Sequence, residues 1–234
     1  MSTHGKNTHA IAKASGPIDV YVPQDGDDLG AISSIGAEDT ATPFLSIVQE
    51  GEGEGQILNT VTGEMRDNWD VIPVYYTRQF IQWGPRSMSG GIERIYTVEE
   101  IQGNKINGIT YDGFRAWVGD PLPPGAKPSN DTPTIVDTRT FLVLVVGGDG
   151  DGSSDPAIIS LYSTAIAPAR AWLSLMRLRR VPSYATVYQM GTSPKSRGSQ
   201  RWFVPSFSVK GPAFVEHVEK AKQILKMSHE YIRA

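Results

Sequence analysis

Cysteine is missing from the chain altogether. Its absence excludes disulfides, thiolate zinc sites and a cysteine nucleophile. Histidine is scarce and badly distributed for catalysis: His4, His9, His217 and His229 all fall near the ends. Nothing between residues 10 and 216 supplies an imidazole base, which argues against a Ser-His-Asp triad or a His-rich metal site. No run of eighteen apolar residues exists, so no membrane span is expected. The opening segment, MSTHGKNTHAIAKASG, lacks the apolar stretch of a secretory signal, and a soluble intracellular protein is expected. No P-loop pattern appears, and the scattered glycine pairs make no dinucleotide fingerprint. Nothing calls for a cofactor.

What remains is enough for one sizeable domain, since 234 residues with an ordinary share of aliphatic and aromatic side chains can bury a real core. The net charge of −3 conceals a gradient. Residues 1–70 carry 12 Asp and Glu against 3 Lys and Arg, whereas residues 163–234 carry 3 against 12. The overall balance argues against a polyanionic partner, and the basic last third argues for one. The plainer explanation is that the two ends neutralise each other in the fold.

Residues 1–40 are rich in Gly, Ser, Asp and Thr with few large apolar residues, and read as a mobile acidic arm ahead of a single domain over 41–234. TPFLSIVQ (42–49) is the first compact apolar run, followed by the polar connector EGEGEG and a turn over 59–63. DVIPVYYTRQFIQW (70–83) is β-branched and aromatic and reads as a strand. Strict alternation puts Ile72, Val74, Tyr76, Arg78 and Phe80 on one face, and Tyr75, Thr77, Gln79 and Trp83 on the other. Pro73 belongs at an edge or near the strand start. Further strands are expected at 90–98, within 108–118, at 134–148 and at 157–162, with a Pro-rich loop at 120–133. A helix over 163–180 is expected to take Ser163 or Thr164 as its cap, with Pro168 in its first turn. Two strands, YATVYQM and RWFVPSFSV, joined by the loop GTSPKSRGSQ, precede a terminal amphipathic helix. Parallel βαβ alternation is absent, so the natural class is a mainly antiparallel sheet or small barrel with helices attached, an α+β arrangement dominated by β.

The joining loop is the most suggestive stretch. SPKSRGSQRWF holds Lys195, Arg197 and Arg201, then Trp202 and Phe203, and no carboxylate. An unpaired polynucleotide offers a charged backbone and flat bases, so a protein that binds it needs cations along a groove and rings within it. The candidates are Lys195, Arg197, Arg201 and Trp202 here, Arg170, Arg177, Arg179 and Arg180 on the preceding helix, and Tyr75, Arg78 and Trp83 on the early strand. Trp172 falls on the apolar helical stripe and reads as core, as do Phe203 and Phe207, whereas Trp202 points opposite to them. Arg177, Arg179 and Arg180 are also explained as cations covering a helix end.

Carboxylates give weaker signals. Asp149, Asp151 and Asp155 resemble the start of a calcium loop, but the twelfth position holds Ser160 where a Glu is needed, and a polar hairpin turn explains them. Asp137, Asp149 and Glu93 could in principle join a two-metal nuclease site, with nothing in their spacing requiring it.

The order from TPFLSIVQ through NTVTGE to VIPVYYTRQFIQWGPR, followed later by YSTAIAPARAWLSLMRLRR, PSYATVYQMGTSPKSRGSQRWFVPSF and AKQIL, resembles bacteriophage single-stranded DNA-binding replication proteins over about residues 42–230. The resemblance implies an OB-like antiparallel barrel with flanking helices, no catalytic activity, single-stranded DNA as partner, contacts with replication proteins or with further copies of the chain, and a place in the host-cell cytoplasm. The positions that carry over are Tyr76 and Trp83, the basic helix after Thr164, and the hairpin from Lys195 to Trp202. Many such proteins end in an acidic tail, whereas this chain ends SHEYIRA and is acidic at the front. The expectation that follows is an N-terminal arm competing with DNA for the groove, to be tested by deleting residues 1–40. A carboxylate-based nuclease and a virion or scaffold component are the alternatives.

Overall fold

In the computed structural model the described residues are 41–84, 92–103, 105–112, 116–121, 134–147 and 154–231. The expected acidic arm, most of the Pro-rich loop, and Asp149 and Asp151 lie outside them.

Two long strands make the backbone of the fold. β4 (Trp69–Trp83) pairs antiparallel with β8 (Thr134–Val146) along nearly its whole length. The free edge of β4 is shared. Its start takes β10 (Thr186–Arg197) and its end takes β5 (Ile92–Thr97). The free edge of β8 is shared likewise, by β9 (Ser154–Tyr162) and by β7 (Ala116–Val118), which carries β6 (Ile109–Tyr111). β11 (Gln200–Pro212) hairpins onto β10 and ends the sheet. A small second sheet holds β1 (Leu45–Ile47), β2 (Ile57–Asn59) and β3 (Met65–Arg66). The helices are α1 (Val98–Gln102), α2 (Ile166–Arg179) and α3 (Val215–Tyr231).

The mainly antiparallel class expected from sequence is therefore what forms, but the ladder of the main sheet does not return on itself. The open side is partly spanned by β1. Phe44 makes a single parallel bridge to Ile158 of β9, and Ile158 N donates to Pro43 O at 2.8 Å. On its other flank the Gln49 carboxamide bonds both the N–H and the C=O of Phe203 in β11, at 2.9 and 3.0 Å.

Three helices seal three clusters. α2 covers Val71, Phe141, Val143, Ile159, Tyr188 and Met190 with Ala169 and Trp172. Trp172, 1 % exposed, is core as expected, and it stacks flat on the partly buried Phe207, ring centres 3.9 Å apart. α3 covers Ile72, Val74, Leu142 and Leu144 with Ala221 and Ile224. α1, closed by a capping box between Thr97 and Glu100, contributes Ile101 against Phe80, Tyr96 and Ile135.

Strict alternation along β4 fails at Val74. The register slips there, Pro73 facing Val143 while Tyr75 faces Leu142. The extra residue is a bulge, and it reverses the parity beyond it. Tyr76 consequently packs with the cluster of Val71, and Tyr75 with that of Ile72 and Val74. Pro73 falls in the gap between the β10-paired and β5-paired parts of that edge, where proline is tolerated.

Two further expectations change. The stretch 191–200 is not a loop: the β10–β11 ladder runs to Arg197 opposite Gln200, and the connection shrinks to Gly198 and Ser199. Gly198 has φ +61, the first position of a tight hairpin turn that favours glycine. Neither Ser163 nor Thr164 caps α2. They form a 3-10 turn instead, and the helix starts after Ala165 without a side-chain cap bond.

Candidate nucleic-acid interface

Five segments that are distant in sequence meet in a cleft of about 990 Å3: β1 with its connector, the end of β4, the start of β5, the end of β9 with the 3-10 turn, and the tip of the β10–β11 hairpin. This volume is at the upper end of the range for ligand pockets. Trp83, Trp202, Phe203, Tyr162 and Phe44 give the cleft rings, and Arg197 gives it a cation. No carboxylate is among the described lining residues; their other polar groups are hydroxyls and carboxamides. Tyr162 is 47 % and Phe44 37 % exposed, a high value for such residues in a folded domain. The other three tryptophans, Trp69, Trp117 and Trp172, are buried at 4, 6 and 1 %.

The hairpin wall is held by the acidic connector after β1. Gln49 acts as a substitute strand partner for Phe203, as described above. Thr192 donates to Gly55 O at 2.6 Å. Gly55 has φ +86, and a Cβ there would meet the Phe203 ring at 2.8 Å, so the position excludes every larger residue. Ser163 at the cleft wall has φ +51, a left-handed conformation that is uncommon for serine. The indole N–H of Trp202 is buried with no acceptor among the described residues.

A second groove of about 320 Å3 opens between α2 and the same hairpin. Lys195, Ser193 and Ser206 line it on the hairpin side, and Pro168, Ala171 and Trp172 on the helix side. Pro205 belongs to both grooves, so β11 is their common wall.

Of the residues singled out by sequence, the structure brings Trp83, Arg197 and Trp202 into one cleft and sets Lys195 in its neighbour. Arg201 stacks over Phe203 at 5.0 Å and lies 4.0 Å from Glu54, a loose, exposed pair. Arg170 and Arg177 are exposed and seven residues apart on one stripe of α2, turned away from the stripe of Pro168, Ala171, Trp172 and Leu175 that lines the second groove. Arg180 stands beyond the helix at φ +56. Tyr75 is half-buried beneath α3 because of the Val74 bulge, and lines neither groove.

Arg78 has a different employment. Its guanidinium grips Asp137 with two bonds, Nε–Oδ1 at 3.0 Å and Nη2–Oδ2 at 2.8 Å. Arg139, 5 % exposed at the side chain, bonds the same carboxylate. Burial works to raise the Asp137 pKa, but the hydrogen bonds from Arg78 and Arg139 outweigh it and hold the carboxyl below its ordinary value. The bond to Asp137 likewise raises Arg78, against the effect of burial. Asp137 is thereby held by two arginines. Glu93 accepts from Gln82 at 2.7 Å, and Asp149 lies outside the described residues. Among the described residues no group of three or more His, Asp and Glu gathers to hold a metal ion, and no helix is long and apolar enough to cross a membrane.

Sequence reasoning missed Tyr162, Phe44, Gln49 and Gly55, and assigned Phe203 to the core when it lines the cleft. The Gln49–Phe203 contact joins residues 154 apart, and no local pattern announces it.

A family model described as Pam3 phage gp34-like protein matches residues 19–231. No curated protein and no solved structure matches the chain.

Proposed function

The chain belongs to the Pam3 phage gp34-like protein family, and on that premise we propose that it binds single-stranded DNA without catalysing a reaction, during phage DNA replication or recombination. Its framework is read as an opened relative of an OB-like barrel, in which β1 and the Gln49 carboxamide stand in for the closing ladder. The observation that carries the reading is the meeting of Trp83 and Trp202 with Arg197 in one open cleft that has no carboxylate among its described lining residues. Rings at that separation in sequence serve no common local element. Both are only partly buried, which leaves apolar surface that a purely structural role would cover. Bases stack on indole and phenol faces whatever their sequence, and Arg197 meets the phosphates.

Labelled oligonucleotide titrated at several salt concentrations tests this. Affinity is expected to fall with salt, with a log–log slope of about 0.7 per phosphate contacted on a single strand. Trp202→Ala is expected to lose about 1–3 kcal/mol of binding with little change in slope. Arg197→Ala is expected to reduce the slope itself. Binding indifferent to salt and to Trp202 would overturn the reading.

A further inference from the structure

We infer that the groove between α2 and the β10–β11 hairpin is a second nucleotide subsite, so that one strand runs from the aromatic cleft across Pro205 and along α2. The inference rests on the single-strand reading above and extends it to the strand's path. Three observations carry it. First, Pro205 lines both grooves, so a chain leaving one reaches the other by passing a single residue.

Second, the groove's chemistry suits a nucleotide. Lys195 is exposed, and no acid pairs with it among the described residues. Ser193 and Ser206 add hydroxyls, and among the described residues no carboxylate lines the groove. Trp172, 1 % exposed, also lines it, and its indole N–H is buried with no acceptor among the described residues. The volume of about 320 Å3 suits one such unit rather than a second long segment.

Third, the helix stripe that lines the groove continues beyond it into a cation. Arg179 lies four residues past Leu175 on that stripe, and it is exposed with no acid partner among the described residues. The cations in line with the path are then Arg197, Lys195 and Arg179, in that order. Arg170 and Arg177 are off it.

Filling the groove tests the inference without touching the cleft. Ala171 is an exposed helix position on the groove's wall, so Ala171→Trp is expected to fold normally. Oligothymidylates of about 4 and about 16 nucleotides bracket the site sizes of single-strand binders. The short one is expected to occupy the cleft alone and to bind wild type and Ala171→Trp equally. The long one is expected to lose about fivefold or more in affinity with the variant. Lys195→Ala is expected to lower the salt slope for the long oligonucleotide by about 0.7. Equal affinities of both proteins for the long oligonucleotide, or equal weakening for both lengths, would overturn the second subsite and leave the cleft standing. Failure of either oligonucleotide to bind wild type would overturn both.

Discussion

Arg78 on β4 and Arg197 at the hairpin tip were equivalent candidates by residue type, and the fold gives them opposite work. Arg78 is gripped by Asp137 with two bonds and has Arg139 beside it, inside the sheet. Arg197 stands on an exposed ladder end, with no acid partner among the described residues, beside Trp202 and Trp83. A cation with a part-buried acid holds strands together; a cation beside partly exposed rings, with no acid partner among the described residues, is available to a ligand. The comparison teaches that the basic last third matters for where its charges stand. Its Lys210 is paired with Asp70, a local neutralisation of the plainer kind.

The largest effect expected concerns the buried side of that comparison. Asp137→Ala leaves Arg139 and Arg78 without their carboxylate, and should destabilise by about 3–5 kcal/mol in denaturant unfolding. Arg197→Ala should change stability by no more than about 0.5 kcal/mol while weakening oligonucleotide binding. The contrast collapses if the two variants unfold alike. Acid sharpens it further. Because the folded Asp137 carboxyl is held below its ordinary value, its contribution is present above the unfolded pKa of about 3.9 and is lost as pH falls through the folded value. Stability of Asp137→Asn should therefore respond less to acidification below about pH 4 than that of wild type.

Next comes the wall between the two regions. Gly55→Ala meets the Phe203 ring and a left-handed backbone together, and should cost about 2–4 kcal/mol with loss of oligonucleotide affinity. Gly63, at φ +73 with nothing within 4 Å of a built Cβ, carries the backbone term alone. Gly63→Ala should cost about 1–2 kcal/mol and leave binding intact. Equal costs would mean that the Phe203 contact is not what positions the hairpin. The smallest effect is expected at Arg180, which holds φ +56 at the end of α2. Arg180→Gly should stabilise by about 1 kcal/mol, and with Arg180 outside both grooves should barely alter binding.

Much of the secondary structure was legible because β-branched and aromatic runs such as 70–83 and 134–146 carry their own signal. The Val74 bulge was not, since alternation assumes an unbroken register, and it moved Tyr75 from the expected binding face to the seam under α3. The length of the β10–β11 ladder was hidden by Pro194, Gly191 and Gly198, which look like loop residues. Pro194 is tolerated because β4 pairs with β10 only as far as Met190. Trp202, Arg197 and Trp83 were legible as types, the first two from a carboxylate-free basic and aromatic stretch. Their convergence was not, because it depends on Gln49, Thr192 and Gly55 fastening the hairpin across more than a hundred residues of sequence.

Intrinsic fluorescence tests the central claim most directly, because three of the five tryptophans are buried and only Trp83 and Trp202 line the open cleft. Adding an oligothymidylate of about four nucleotides at low salt, too short to reach the second groove where Trp172 lies, should change the emission of wild type, and the change should vanish in the Trp83→Phe, Trp202→Phe double variant. An emission unmoved by oligothymidylate in wild type, or moved equally in the double variant, would contradict the account.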